Sequence, residues 1–303
     1  MISRSFPQPK TVERGRDAHG IRWRQGLGQK VNVKFWGVRG SIPVPGPHTV
    51  RSGGNTPCVE VQTSEREILI LDAGTGIRSL GLDLASRIDG PLVAVLLFSH
   101  THWDHIQGLP FFSPAQRKQN HLIMLGERRV DRQLKRILAS QMSDPYLPFT
   151  LDDLQADLSF EEIYEGEQIV LGDSVSVLPR RLTHPGGVFG YRICCQDQIV
   201  VYATDVSHPL DNLDPRVVDL ARDANLLIHD AQFTPEERQE RSGWGHSSWL
   251  EAVQVAREAN VKQLALFHHE PTRGDAELDE IEKQARALFP SAFLAREGME
   301  ICL

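Results

Sequence analysis

The chain has 303 residues, 40% of them hydrophobic, and a formal net charge of −7. That is enough apolar content for one large core or two modest ones. The longest apolar run, "PLVAVLLF" (91–98), is far too short to span a bilayer, and the N-terminus "MISRSFPQPKTVERGRDAHG" has no apolar leader, so a cytoplasmic protein without a membrane partner is expected.

Residues 1–30 hold seven Lys/Arg against Glu13 and Asp17, a charge of +5 that leaves −12 on the rest. The arm reads as a solvated leader, and residues 31–303 as a single domain. Strand and helix signals then alternate without a linker. "VNVKFWG" (31–37), "CVEVQT" (58–63) and "EILILD" (67–72) read as strands, the last two joined by the polar turn "SER". "GTGIRSLGLDLASRI" places apolar residues at helical spacing. "PLVAVLLFS" reads as a buried strand, and "VDRQLKRILASQM" (130–142) as a helix ended by Asp144-Pro145.

The second half repeats the style. "SVSVLPRRLTH" (174–184), "FGYRICCQ" (189–196) and "QIVVYATD" (198–205) read as successive strands, followed by the helix "PRVVDLARDA" and the strand "NLLIHDA". "SSWLEAVQVAREAN" (247–260) reads as a capped helix, "KQLALFHH" (262–269) as a strand and "ELDEIEKQARALF" as a last helix. Two blocks of strands followed by helices predict two sheets packed face to face with helices outside. Cys58, Cys194, Cys195 and Cys302 form no C-x-x-C pair and read as small, reduced core residues.

The chemistry concentrates in "LFSHTHWDHIQGLP" (97–110). The apolar strand ends near Ser99, and extended backbone points His100 and His102 the same way. Asp104 and His105 follow where the chain turns. An imidazole pair and an Asp–His pair can therefore face one point from two sides. Their nitrogen and oxygen donors suit Zn²⁺, Mn²⁺ or Fe²⁺, and such a set can hold two ions. His184, Asp205 and His268 close other predicted strands, where an open sheet presents functional groups.

With this H-x-H-x-D-H motif and these strand-end residues, the chain resembles the metallo-β-lactamase superfamily from about residue 31 to the C-terminus. "LLIHDAQF" (226–233) and "GWGHSSWLEAVQVAREANVKQLALFHH" are similar to the RNase Z-like and phosphodiesterase branch. The resemblance implies a four-layer αββα sandwich with two divalent metal ions, Zn²⁺ or Mn²⁺, at one edge. It places His100, His102 and His184 on one ion, Asp104, His105 and His268 on the other, and Asp205 between them. His269 competes with His268 as the last ligand. It also pairs Asp230 with His246, which would protonate a leaving alkoxide while hydroxide held between the metals attacks phosphorus.

"FWGVRGSIPVPG" and "GGNTPCVEV" look like a bacterial subgroup that opens cyclic nucleotides. An acidic body is poorly suited to gripping a long nucleic acid. The expected substrate is therefore a small 3′,5′-cyclic nucleotide, hydrolysed to its 5′-monophosphate. Nucleic acid is disfavoured, with tRNA 3′-end cleavage and thioester or lactone hydrolysis as alternatives. Relatives imply a homodimer. Arg39, Asn55 and Thr56 are the expected phosphate contacts, beside their turn-building role. Asp72 reads as a structural turn-former with support of the metal ligands as the alternative, Phe112 and Trp244 as packing with base stacking as the alternative, and Trp103 as packing.

Overall fold

Two seven-stranded sheets lie face to face, and helices cover both outer faces. The computed structural model describes residues 31–63, 67–172 and 175–303. The basic arm (1–30), the "SER" turn and the first residue of the 174–184 strand lie outside the described residues. The first sheet takes β1 (Asn32–Gly37), β2 (Cys58–Gln62), β3 (Glu67–Leu71), β4 (Val93–Leu97), β5 (His121–Glu127) and β6 (Asp157–Ile163), with helices α1 (Ile77–Arg87) and α2 (Leu134–Ser140) between them. The second takes β7 (Ile169–Leu171), β8 (Val175–Leu182), β9 (Val188–Cys195), β10 (Gln198–Ala203), β11 (Leu226–Asp230), β12 (Gln263–Phe267) and β13 (Ala292–Leu294). Its helices are α3 (Pro215–Ala221), α4 (Pro235–Glu240), α5 (Trp249–Glu258) and α6 (Asp275–Leu288). A last strand, β14 (Glu300–Cys302), returns to pair antiparallel with β1 in the first sheet.

Side-chain alternation builds the layers. On β3, Leu69 and Leu71 enter the core between the sheets, whereas Ile68 and Ile70 face α1 and α2. On the second sheet, Tyr202, Ile228 and Phe267 face inward, and Val201, Leu227 and Leu266 pack under α3, α5 and α6. This is the four-layer αββα sandwich expected from the sequence.

Strand direction decides where the chemistry sits. β3, β4, β5 and β6 are parallel, as are β10, β11, β12 and β13. β9 runs antiparallel to both β8 and β10, so β8 runs with β10. The carboxyl ends of β3 and β4 in one sheet and of β8, β10, β11 and β12 in the other can thus share one edge.

The structure departs from expectation where pattern and packing disagree. The helix predicted over 130–142 spans only Leu134–Ser140. Residues 128–133 stay outside it, with Arg129 bonded to Glu127 and to the carbonyl of Gly187. β6 lies in a stretch that reads as an acidic insertion, because "DLSFEEI" is a half-buried edge strand with charged positions. α4, "PEERQE", has no apolar period and is held by a capping box between Thr234 and Glu237. All four cysteines are free, as expected, but only Cys58 and Cys195 are core residues: Cys194 is half-buried and Cys302, on the edge strand β14, is exposed. No described helix is long and apolar enough to cross a membrane.

Leu97 is fully buried between the sheets, whereas Leu82 on α1 is largely exposed. Urea unfolding should show Leu97→Ala costing about 2–5 kcal/mol and Leu82→Ala costing less than about 0.5 kcal/mol. Equal costs would contradict this layering.

Candidate metal centre and active site

Seven side chains converge at the shared edge. His100 and His102 follow β4, and Asp104 and His105 sit on a single 3-10 turn, Trp103–His105. His184 follows β8, Asp205 follows β10 and His268 follows β12. The donor atoms of His100, His102, His184 and Asp205 form one group, and those of Asp104, His105, Asp205 and His268 form a second. Asp205 belongs to both. Its Oδ1 lies 3.7 Å from His100 Nε2 and 3.9 Å from His184 Nε2. Its Oδ2 lies 3.1 Å from His105 Nε2 and 3.3 Å from His268 Nε2. Asp104 Oδ2 completes the second group, 3.3 Å from both His105 Nε2 and His268 Nε2.

Hydrogen bonds on the far side of each ring fix which nitrogen faces inward. Asp72 Oδ2 accepts from His105 Nδ1 at 2.7 Å, from Tyr202 Oη at 2.8 Å and from Ser99 Oγ at 2.7 Å. Ser99 Oγ in turn lies 3.1 Å from His100 Nδ1. His184 Nδ1 donates to the Gly245 carbonyl at 2.9 Å, and His268 Nδ1 to Gln232 Oε1 at 3.1 Å. Four imidazoles therefore present Nε2 lone pairs to the cluster, the arrangement that orients metal-ligating histidine. His102 turns Nδ1 toward it, 3.1 Å from His184 Nε2.

The close approach of backbone to these rings explains two glycines. A Cβ on Gly40 would lie 2.5 Å from the His268 ring, and one on Gly245, whose φ is +95°, would lie 2.4 Å from His184. Asp72, Asp205 and His268 themselves adopt φ of 61°, 52° and 60°. Such strain at non-glycine residues clusters at functional sites.

The donor set fits divalent ions. His100 Nε2 and His105 Nε2 are buried without a hydrogen-bond partner. Two ligands bound to a tetrahedral zinc lie about 3.3 Å apart, which matches the separations around Asp205. Burial and the neighbouring His105 push the His100 imidazole well toward its neutral form. Burial resists ionisation of Asp205 and Asp104, yet the surrounding imidazoles hold both carboxyls below their usual range. His105 moves the other way: burial is outweighed by Asp205, Asp104 and Asp72, which favour its charged form. A cation is thus wanted where these residues meet.

Beside the cluster, His246 Nδ1 lies 2.8 Å from Asp230 Oδ2. Asp230 Oδ1 accepts from the backbone N–H groups of Gln232 at 3.1 Å and Ser247 at 3.0 Å. The His246 ring stacks on His268 with centroids 5.0 Å apart. Burial disfavours the imidazolium, but the charge and hydrogen bond of Asp230, with help from Asp205 and Asp104, raise its pKa to about 9. This group can hold a proton at the edge of a metal site.

The expected phosphate contacts serve the loops instead. Arg39 is fully buried and bonds the carbonyls of Gly53, Glu270 and Arg273 and the hydroxyl of Ser52. Asn55 Nδ2 donates to Glu297, and Thr56 exchanges hydrogen bonds with Thr75. Between His268 and His269, geometry favours the former, since His269 Nε2 bonds the carbonyl of Ala295. Phe112 is core, as expected, but Trp103 and Trp244 are 69% and 63% exposed. The packing reading therefore does not hold for either tryptophan. Sequence reasoning missed Gln232, Ser99 and Tyr202 altogether, and for Asp72 it preferred a turn-former over the alternative of supporting the ligands, which its bond to His105 favours. Their roles lie across the sandwich, with only the position of Gln232 two residues after Asp230 as a hint.

Two measurements check the cluster. Asp72→Asn should weaken Zn²⁺ or Mn²⁺ affinity by roughly 10- to 100-fold in a chelator competition. Asp205→Ala should reduce binding at both groups, and uptake of ions at wild-type affinity would exclude the shared carboxylate.

The family model for the "Beta-lactamase superfamily domain" matches residues 66–269. Ribonuclease Z of Bacillus subtilis (strain 168) is 26% identical over 310 aligned positions, covering 89% of this chain and 98% of its own. Among solved structures, the metallo-beta-lactamase fold protein YhfI from Bacillus subtilis superposes with a TM-score of 0.68 at 20% identity, over 91% of this chain and all of its own. Human tRNase Z, short form, superposes with a TM-score of 0.65 at 20% identity, over 89% of this chain and 98% of its own. With the family's domain matched across both halves of its ligand set, the chain belongs to the β-lactamase superfamily, on its RNase Z-like branch, and is a metal-dependent hydrolase.

Proposed function

We propose that the protein is a dinuclear-metal phosphodiesterase that cleaves RNA, leaving a 3′-hydroxyl and a 5′-phosphate. The observation that carries the reading is the Asp230–His246 pair, held at 2.8 Å beside the ligand cluster. An RNA 3′-oxygen is a poor leaving group and needs a proton as its bond to phosphorus breaks. Asp230 holds Nδ1, so Nε2 of a protonated His246 is the atom that donates. The ring is fixed by stacking on His268, and Asp230 is itself fixed by two backbone donors, so the proton is delivered from a preset direction.

His100, His102, His184 and Asp205 would hold one divalent ion, and Asp104, His105, Asp205 and His268 the other. When bound, the pair would supply Lewis acidity at the phosphoryl oxygens and lower the pKa of an attacking water. Asp104 and Asp205 are kept ionised by their imidazole neighbours, and Asp72 holds His105 in the ligating tautomer.

The preference for a 3′,5′-cyclic nucleotide gives way to RNA because of the relatives. The ribonuclease Z likeness runs over 89% of the chain and takes in both the ligands and the Asp230–His246 pair. Exposed Trp103 and Trp244, next to ligands and to His246 in the chain, suit stacking on unpaired bases. A small cyclic nucleotide remains the second reading, favoured by the −12 charge of residues 31–303.

Leaving-group chemistry supplies the test. With Mn²⁺ or Zn²⁺, His246→Ala should slow cleavage of a precursor tRNA bearing a 3′ trailer by roughly 10²- to 10⁴-fold. It should largely spare bis(p-nitrophenyl) phosphate, whose nitrophenolate leaves unaided. Equal loss on both substrates would make His246 structural. Turnover of a cyclic nucleotide with the tRNA untouched would move the substrate back to the small molecule.

A further inference from the structure

The body is acidic, yet one loop beside the metal cluster is not. Residues 128–136, "RRVDRQLKR", carry five Lys/Arg against Asp131 alone, a local charge of +4. Arg128, Arg132, Lys135 and Arg136 are exposed. Arg128 lies over the ring of Tyr164, Lys135 over that of Phe160, and Arg132 pairs at 3.3 Å with Asp131, both side chains about two-thirds exposed, while Glu162 on β6 accepts from the backbone N–H of Leu134 within the same stretch. Glu127, the carboxylate at the base of the loop, is shared by Arg129 at 2.9 Å and Arg181 at 3.1 Å, so that triad keeps a net positive charge.

The loop is tied to the centre on both sides. Arg129 donates to the carbonyls of Gly186 and Gly187, in the turn after the ligand His184. A shallow depression is lined by His100 and Thr101, in the ligand motif, together with Glu127, Arg129 and Arg132 and, from α2, Leu134 and Ile137. Arginines that line the same depression as His100 can hold the phosphate backbone of a strand lying across the metal cluster.

We infer that the 128–136 loop, together with Arg181, binds the phosphate backbone of the RNA strand next to the bond being cut. The inference rests on the RNA reading above. It also removes the objection from net charge: backbone binding depends on the cations lining the contact, and here they are gathered on one stretch, the loop after β5 and the first turn of α2. Arg129, which anchors the turn after His184, positions the loop, and the exposed cations make the contact.

The experiment compares the metal-loaded full chain with its Arg132→Gln/Lys135→Gln/Arg136→Gln variant. On the trailer-bearing precursor tRNA, KM should rise on the order of tenfold at moderate salt. The slope of log KM against log salt should fall by up to about 2, from three lost contacts. Hydrolysis of bis(p-nitrophenyl) phosphate and metal content should stay unchanged. Arg132→Lys/Arg136→Lys, which keeps the charge, should keep the slope.

Wild-type KM and slope in the triple variant would overturn the inference while leaving the RNA reading intact. So would loss of a dimer in sedimentation with unchanged KM, which would give the patch to a second copy of the chain. A slope lost equally in the lysine variant would show that charge is not what the loop supplies. If the wild-type enzyme hydrolyses bis(p-nitrophenyl) phosphate but not the tRNA, the RNA reading itself fails and the backbone contact falls with it.

Discussion

Four buried carboxylates, Asp72, Asp104, Asp205 and Asp230, stand close together at one edge of the sandwich, and the ion-pair partners described for them are all imidazoles. Neighbouring carboxylates repel, and burial penalises each charge by several kcal/mol, of order, unless it is paired. Histidine is the one side chain that can relieve this as a cation and equally step back as a neutral ligand. The arrangement answers a requirement for external positive charge, and much of the surrounding structure follows from it. The rings of His100, His105, His184 and His268 are pinned at the outer nitrogen so that the inner one cannot rotate away. Tyr202, Ser99 and Gln232 exist in this network to hold carboxylates and rings, and the backbone accepts left-handed φ at Asp72, Asp205 and His268 to aim them.

Such a centre needs a rigid frame. The ligands come from both sheets, so their separation is set by how closely the sheets pack. The inter-sheet core supplies the stiffness: Leu71 and Leu97 sit immediately before the turns that carry Asp72 and His100, and Phe267 immediately before His268. The last buried residue of a strand thus holds in place the first functional residue beyond it. Close-packed interiors transmit strain and resist small displacements, which is why side chains separated in sequence by more than 160 residues meet within hydrogen-bonding distance. Metal affinity and folding are coupled through the same contacts.

The sandwich and the side chains that converge at its edge were legible because both rest on local signals. Continuous apolar strands, helical spacing and H-x-H-x-D-H are each written in a short window. His184, Asp205, Asp230 and His268 could be found because each closes a strand. What stayed hidden is what depends on the other sheet. Asp72 looks like a turn residue until β10 brings Tyr202 and the 3-10 turn brings His105 against it. Arg39 looks like a phosphate ligand because a guanidinium beside glycines suits one. Only the folded chain shows those donors spent on three carbonyls and a hydroxyl. Trp103 failed as a packing residue because its neighbours in sequence, His102 and Asp104, turn toward the histidine–carboxylate cluster and leave it facing solvent. β6 was missed because an edge strand need not alternate.

Net charge misled in a similar way. A sum over the chain says how a protein behaves at distances beyond the Debye length, about 8–10 Å in ordinary salt. Within that distance only the nearest charges count, and in the depression that His100 lines they include Arg129 and Arg132 beside Glu127. Acidic surface elsewhere does not weaken a track that the substrate meets first; it discourages the substrate from lying anywhere else. The metal edge can therefore be common to hydrolases with unlike substrates, since it acts on whatever phosphorus is delivered to it. Delivery belongs to loops that carry no ligand, and in this chain residues 128–136, the β5–α2 loop and the first turn of α2, carry a charge opposite to the body's.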